Sequence, residues 1–338
     1  MANMLRGWVK PLIGLVVTAA FVWLLLRGID FQGLTAAFAN LSIPYLLLAL
    51  AFLAAGYAVR IVRWWWMLCA LEPGLPLVCC VWPFLTSIAI NNTVPLRAGD
   101  ALRIFGFRHQ LRSPPMRVLG TLVVERLLDL LALLTFFFVG LLGLPTDVFP
   151  DSLITVSVWL AGSSLGTVVI LIILGPWLPG IVRAIADRPG LAARGWSEAI
   201  QRLGINLVEA LNLLQAPARL VTLLVLSLVT WAFEGAVFAT VARAFDSGAM
   251  EFGPWFALAT ATLATLLPSS PGYVGTFDYF AVLGLTAYGA SREAAVAFAL
   301  TVHAVLWIPL TVLGLLYLLL RGEWIWGRPA PATVLTKE

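Results

Sequence analysis

Apolar residues run along this chain in long, nearly unbroken stretches. Neither the 3.6-residue stripe of a soluble helix nor the alternation of a half-buried strand describes them. A helix needs about 20 mainly apolar residues to cross the hydrocarbon core of a bilayer. Six stretches meet that length: 11–26 (short, extendable at both ends), 44–66, 118–143, 153–175, 219–242 and 294–319. Two more, 77–94 and 255–267, are shorter and end in Pro/Gly-rich sequence. The pattern predicts an all-α polytopic membrane protein of about six full spans plus two re-entrant helical hairpins, up to eight apolar segments in all. The first stretch is not read as a cleaved signal, because Leu26 is followed by Arg27-Gly28-Ile29-Asp30 with no small-residue cleavage site.

Composition supports the membrane reading. Residues of the AVILMFWYC set make up 61% of the 338, against 21 basic and 17 acidic residues. That is too little charge to cover a soluble fold of this length, and it excludes a disordered chain, a nucleic-acid binder and a secreted disulfide scaffold. Cys69, Cys79 and Cys80 lie in or beside apolar segments and read as packing thiols. No metal site or cofactor is expected: His109 and His303 cannot form H-E-x-x-H, and no Walker or dinucleotide glycine loop occurs.

Charge decides the topology. If 77–94 and 255–267 enter and return on one side, then 1–10, 60–76, 97–117, 176–219 and 320–338 share a side holding 17 of the 21 basic residues. The positive-inside rule makes that side cytoplasmic, with both termini there, in a bacterial inner membrane. The two short stretches also resemble each other. Val94-Pro95-Leu96-Arg97-Ala98-Gly99 and Leu267-Pro268-Ser269-Ser270-Pro271-Gly272 both follow an apolar arm, and both lie between long spans. The expected organisation is one membrane domain, 1–338: a first repeat over 44–143, a linking span and cytoplasmic amphipathic helix over 144–218, and an inverted second repeat over 219–320. Paired, interrupted segments of this kind point to a transporter's binding site.

The candidate site residues follow from polar groups stranded in apolar sequence. Asn91, Asn92, Arg97, Asp100 and Arg103 cluster at the first interruption, where forked guanidinium donors suit a phosphate. Glu125, Arg126 and Asp129 lie inside a span, with the two acids at i and i+4; a functional site and a structural ion pair both fit them. Ser269, Ser270, Gly272, Gly275, Thr276 and Asp278 form the second interruption, whose free amides suit an anion. Glu234 and His303 are isolated within spans and are candidates for proton coupling. Arg108, Arg112 and Arg117 read as topological charges, and Trp64-Trp65-Trp66 beside Arg60 and Arg63 as an interfacial anchor. Trp196, Ile200, Leu203, Leu207, Leu211 and Leu214 mark a helix on the cytoplasmic membrane surface. Gly162-Ser163-Ser164-Leu165-Gly166 matches G-x-S-x-G, but it lies within one apolar helix, where Gly162 and Gly166 are better read as a packing pair.

These motifs, in this order, resemble the lysylphosphatidylglycerol synthetase transmembrane family, the flippase-like membrane part of the multiple peptide resistance factor. The resemblance rests on R-I-x-R-W (Arg60–Trp64), N-N-x-x-P-x-R-x-G-D-x-x-R (Asn91–Arg103), V-E-R-x-x-D (Val124–Asp129) and P-x-S-P-G-x-x-G-T-F (Pro268–Phe277), and covers about 10–320. Tyr273 stands where the family often has a glycine, and Asp278 where a glutamate is common. The larger synthetases add a soluble aminoacyl-transfer domain, whereas Glu338 follows the last predicted span by 19 residues. The resemblance implies a translocase without the synthetase chemistry. The expected function is movement of an anionic-headed lipid between leaflets, not an enzymatic conversion; the alternatives are a secondary transporter of a small soluble anion and an intramembrane hydrolase using Ser164 and His303. The expected partners are a membrane lipid as substrate, and either further copies of the chain or a separate lipid-modifying enzyme, with no nucleic acid.

Overall fold

The computed structural model describes residues 14, 16–141, 143–144, 151–186, 197–249, 251–267 and 269–321, and every regular element among them is helical. Helices α1 (Val16–Leu26) and α2 (Phe31–Ala39) meet at 84°. Asp30 caps α2 by accepting from the backbone N–H groups of Gln32 and Gly33 at 3.0 and 3.1 Å. Arg292 closes α1 by donating to the carbonyls of Leu24 and Arg27 at 2.9 and 3.0 Å, satisfying acceptors that a helix end leaves free.

Two sets of elements follow in the same order. The first runs α3 (Ile43–Cys69), α4 (Val78–Thr93), a broken stretch containing α5 (Ala98–Ala101) and α6 (Arg108–Leu111), then α7 (Pro115–Leu141). Between the sets lie α8 (Asp151–Leu174), α9 (Leu178–Ala186) and α10 (Ser197–Leu211). The second set runs α11 (Pro217–Ala244), α12 (Gly253–Ala264), a break, α13 (Thr276–Thr286) and α14 (Arg292–Arg321). Among the described residues α3, α11 and α14 are long and apolar enough to cross a membrane, and α1–α2 adds a fourth span if the bent pair counts as one. Helices α7 and α8 coincide with the predicted spans 118–143 and 153–175, but α7 carries Arg117, Glu125, Arg126 and Asp129 and needs partners for them.

The packing is crossed. Helix α3 lies along α11; α4 packs on α14, from the second set; α12 packs on α7, from the first. Gly56 makes the α3–α11 approach close, since a Cβ there would lie 3.1 Å from Phe233 Cβ.

Each break has a backbone reason. A proline disfavours helix in the residue before it, and Val94 before Pro95 and Ser270 before Pro271 are both extended. In both breaks the proline opens a short 3₁₀ turn, and the third residue is left-handed: Arg97 at φ 53° and Tyr273 at φ 58°. The backbone thus sets Pro95 opposite Pro271, whereas the sequence pattern had paired it with Pro268, which lies outside the described residues. Pro83, inside α4, cannot donate to the carbonyl of Cys79, and Gln110 Nε2 supplies that bond at 3.1 Å.

Three expectations are corrected. The reading of Trp64-Trp65-Trp66 as an interfacial anchor fails at Trp64, which is fully buried and donates to Thr121 Oγ1 at 3.1 Å with Arg63 buried beside it, because α3 continues as a packed helix to Cys69; Trp65 and Trp66 are half-buried. Gly162 and Gly166 pack against nothing among the described residues, a Cβ at either meeting no atom within 4 Å; the side chain of Ser164 between them lies outside the described residues. Helix α10 packs on α7 and α9 as well as facing outward. At Gly120 a Cβ would lie 2.4 Å from Ala210 Cβ and 3.4 Å from Leu207 Cδ1, and Leu214 is buried while Leu203 is exposed, so part of the predicted row is spent on packing within the protein. Trp196 lies outside the described residues.

Candidate functional site

The charges stranded in apolar sequence find one another. Arg63 forks onto Asp129, Nη1 to Oδ1 at 2.6 Å and Nη2 to Oδ2 at 3.2 Å. Ser227 Oγ at 2.6 Å and the indole N–H of Trp231 at 3.2 Å complete that cluster, which joins α3, α7 and α11. Arg60, one turn earlier on α3, pairs with Glu234 and lies over the rings of Tyr57 and Trp231 at 4.9 and 4.8 Å. Glu234 is therefore not isolated.

Arg103 donates to Glu125 Oε2 at 3.0 Å, with its guanidinium 3.7 Å from the Trp64 ring and 4.5 Å from that of Phe84. It is 0% exposed, so the expectation that it touches a ligand is corrected: it holds Glu125 in place from behind. Burying such pairs costs several kcal/mol of desolvation per ion unless geometry and extra hydrogen bonds offset it. The fork on Asp129, the indole N–H that Trp231 donates to it and the Ser227 hydroxyl that accepts from Arg63 supply that offset.

Asn91 and Asp100 bond reciprocally across the first break, Asn91 Nδ2 to Asp100 Oδ1 at 2.9 Å and Asp100 N–H to Asn91 Oδ1 at 3.2 Å. Arg126 extends from α7 toward Asp100 at 3.6 Å and Glu125 at 3.9 Å, and its side chain is 42% exposed. Gly99 fixes the fold of the break, because a Cβ there would sit 1.8 Å from Ser87 O. Asn92 donates to Thr311 Oγ1 at 2.9 Å on α14.

These groups surround a cavity of about 900 Å³, mouth included, lined by Tyr57, Arg60, Asn91, Asn92, Arg97, Glu125, Arg126, Asp129, Trp231, Glu234, Tyr273 and Trp307 with apolar neighbours. Two polar atoms buried in its wall, Trp307 Nε1 and Thr262 Oγ1, have no hydrogen-bond partner among the described residues. Arg97 is exposed and has no carboxylate partner among the described residues. A second hollow of about 1160 Å³, mouth included, shares Arg97, Arg126, Asp129, Trp231, Thr262 and Thr265 with the first. Its other walls are mainly leucines of α7, of α12 and of the turn after it, among them Leu122, Leu130, Leu133, Leu263 and Leu266. A polar chamber thus opens into an apolar groove, across a wall that carries two arginines.

The second interruption sits differently from expectation. Tyr273 alone of its polar residues lines the chamber. Ser270 N–H donates to Thr18 Oγ1 of α1 at 3.1 Å, and the hydroxyls of Ser269, Ser270 and Thr276 are buried with no hydrogen-bond partner among the described residues. Gly275, at φ 80°, approaches α1, where a Cβ would be 2.8 Å from Val22 Cγ2. Gly272, at φ 74°, backs onto Asn92 O, so the two breaks touch. Asp278 is buried, accepting from Gly275 N–H at 2.8 Å and lying 2.7 Å from His303 Nδ1. That pair anchors α13 to α14, and His303 is further wedged between Phe277 and Trp307. Arg117 bridges Glu72 and Glu209, each at 2.6 Å, which makes it more than a topological charge.

Tyr57, Arg60, Trp231, Tyr273 and Trp307 were not singled out as site residues. A signal existed for Arg60: it falls inside the 44–66 stretch, and Glu234 is an opposite charge at similar depth in another span.

A family model for the lysylphosphatidylglycerol synthase TM region matches residues 12–314. No curated protein matches the chain. With the family model covering most of its length, the chain belongs to the lysylphosphatidylglycerol synthase TM region family, among membrane proteins of lipid modification or translocation.

Proposed function

We propose that the protein moves an anionic-headed lipid between the leaflets of a bacterial inner membrane, without altering it chemically. The observation that carries this reading is the joined pair of hollows. A lipid needs a polar site for its headgroup and an apolar path for its chains, and the chamber and the leucine groove meet at Arg97 and Arg126. A small soluble anion would have no use for the groove. Forked arginine donors suit the phosphodiester, while the chains lie between α7 and α12.

The same reading makes the two sets of elements an inverted repeat, with α4 and α12 as re-entrant arms, six crossings in all and both termini cytoplasmic. Crossed packing supports it: α4 on α14 and α12 on α7 are the two halves of one exchanged contact, while α3 meets α11, its counterpart. Reconstitution into liposomes carrying a fluorescent phosphatidylglycerol tests the proposal. Leaflet exchange faster than in protein-free liposomes is the expected result; uptake of a soluble anion without lipid exchange would refute it.

A further inference from the structure

The second break ends on a titratable pair that the headgroup chamber leaves unused. Asp278, in the first turn of α13, divides its carboxylate: Oδ2 accepts the Gly275 N–H at 2.8 Å, and Oδ1 lies 2.7 Å from His303 Nδ1 on α14. A contact that short between an oxygen acceptor and a ring nitrogen holds a proton. With Nδ1–H assigned as donor to the carboxylate, the free lone pair falls on Nε2, which has no hydrogen-bond partner among the described residues. The Asp278 side chain is 2% exposed and that of His303 14%, so the imidazole is the side of the pair open to exchange.

Anchoring α13 to α14 does not by itself call for an acid and a base. An asparagine would accept from Gly275 N–H and donate to Nδ1 with the same shape, and it would spare the cost of an ionisable group at membrane depth. What the pair adds is room for a proton. Transfer from a hydronium ion to the Nε2 lone pair takes the pair from −1 to zero and leaves a water; release is the reverse step. The pair is tied to the chamber at two points. The His303 ring lies 5.3 Å from Phe277 and 4.4 Å from Trp307, centroid to centroid, and both line the chamber. Gly275 follows the turn that puts Tyr273 in the chamber wall and Gly272 against Asn92 O of the first break. Charging the imidazole draws the carboxylate toward α14 and weakens its hold on Gly275 N–H, so proton and chamber are linked. Of the elements packed on α14, α13 also brings Tyr279, which turns to the rings of Phe21 and Phe280. Helices α3 and α11 bring Tyr57, Arg60 and Glu234, which face the chamber with the last two paired. Helix α4 brings Cys79 and Cys80 near the level of Tyr317, about four turns along α14 from His303. Helix α2 brings no titratable residue.

We propose that Asp278 and His303 form a proton-binding site and that lipid movement is proton-coupled, one proton exchanging at His303 Nε2 for each lipid moved. The inference rests on the lipid reading above and supplies its driving force. Coupling of this kind is reciprocal: a change at Tyr273 or Trp307 that a lipid brings about alters the occupancy of the pair, and the proton alters the chamber that the lipid meets. His303 holds the proton, and Asp278 acts through it as counter-charge and as the link to the break.

The test uses the full chain in liposomes, with a trace of fluorescent phosphatidylglycerol added to the outer leaflet. Valinomycin with equal potassium on both sides holds the membrane potential at zero, and a pH difference of about one unit is imposed. The leaflet distribution is read at its plateau by rapid albumin extraction. One proton per lipid sustains a leaflet ratio of up to about tenfold over that difference, so the wild type should settle at least about threefold from even. Reversing the gradient should carry the plateau to the other side of even, and removing it should bring the plateau back. His303→Gln and Asp278→Asn should settle at even under the gradient, the second because a buried imidazolium has lost its counter-charge. Asp278→Glu, which keeps the acid, should hold the asymmetry. A purely structural pair gives the opposite order, since asparagine preserves both hydrogen bonds and the longer glutamate disturbs them. A wild type that exchanges lipid but settles at even under the gradient would overturn the proposal and leave the translocase reading standing. An Asp278→Asn plateau equal to that of the wild type would overturn it as well. A wild type that moves no lipid under either condition would sink both. If the neutral variants do not fold, the wild-type plateau and Asp278→Glu still decide.

Discussion

Arg97 and Tyr273 hold the same backbone position in two different helix breaks. Each is the third residue of a proline-led turn, each is left-handed, at φ 53° and φ 58°, and both line one chamber. A left-handed residue other than glycine costs about 1–2 kcal/mol relative to the right-handed form. Two such residues facing one space point to a site that uses both side chains.

That relationship separates stability from function at Arg97. Arg97→Gly relieves the backbone and should leave the protein as stable or more so, by up to about 1 kcal/mol, while removing the unpaired guanidinium. Lipid exchange should fall about ten- to a hundredfold, the worth of a charged hydrogen bond of roughly 1.5–3 kcal/mol. Arg97→Lys should recover part of it, keeping the charge without the fork. Thermal denaturation in detergent, run beside the exchange assay, checks both halves.

Arg63 and Asp129 should behave in the opposite way. Arg63→Ala leaves a buried carboxylate without its counter-ion, at a cost of about 3–5 kcal/mol. The expected outcome is a strongly lowered denaturation midpoint and poor yield. Replacing both, as Arg63→Met/Asp129→Leu, should restore much of the stability, though not transport, because Asp129 lines the chamber.

Two glycines provide a matched pair. Gly99→Ala would drive a methyl to 1.8 Å from Ser87 O and should destroy the first break, abolishing exchange and lowering stability. Gly162→Ala meets nothing within 4 Å and should be neutral, or gain up to about 1 kcal/mol from helix propensity. Equal damage at both positions in folding assays would mean that α8 packs against another chain.

The groove makes its own prediction. Val123 is 38% exposed on its wall. Val123→Trp should narrow the path for the lipid chains and slow exchange about tenfold without changing the denaturation midpoint. Unchanged exchange would separate the groove from the transport path.

Much of the fold was legible in the sequence because membrane helices announce themselves by length and apolarity. Stretches 44–66, 219–242 and 294–319 became Ile43–Cys69, Pro217–Ala244 and Arg292–Arg321, and 77–94 became Val78–Thr93. The polar cluster of the first break was legible too, since Asn91, Asn92 and Arg97 all reach the chamber. Pairing was not. A linear pattern gives the depth of a charge but not the face it presents, so Glu234 and His303 looked isolated although Arg60 and Asp278 lie against them. Arg103 looked like a ligand group for the same reason: its burial between Trp64 and Phe84 depends on how α3 and α4 meet the broken stretch.

The central claim is that this chamber and groove carry a lipid headgroup and its chains across the membrane. The most direct measurement is the fraction of fluorescent phosphatidylglycerol reached by an impermeant quencher in liposomes containing wild type or Arg97→Gly at equal protein density. The account predicts that wild type exposes nearly all of the label while Arg97→Gly stays near the outer-leaflet half of protein-free liposomes. Wild-type liposomes that also stop at that half, with the folded protein present, would contradict it.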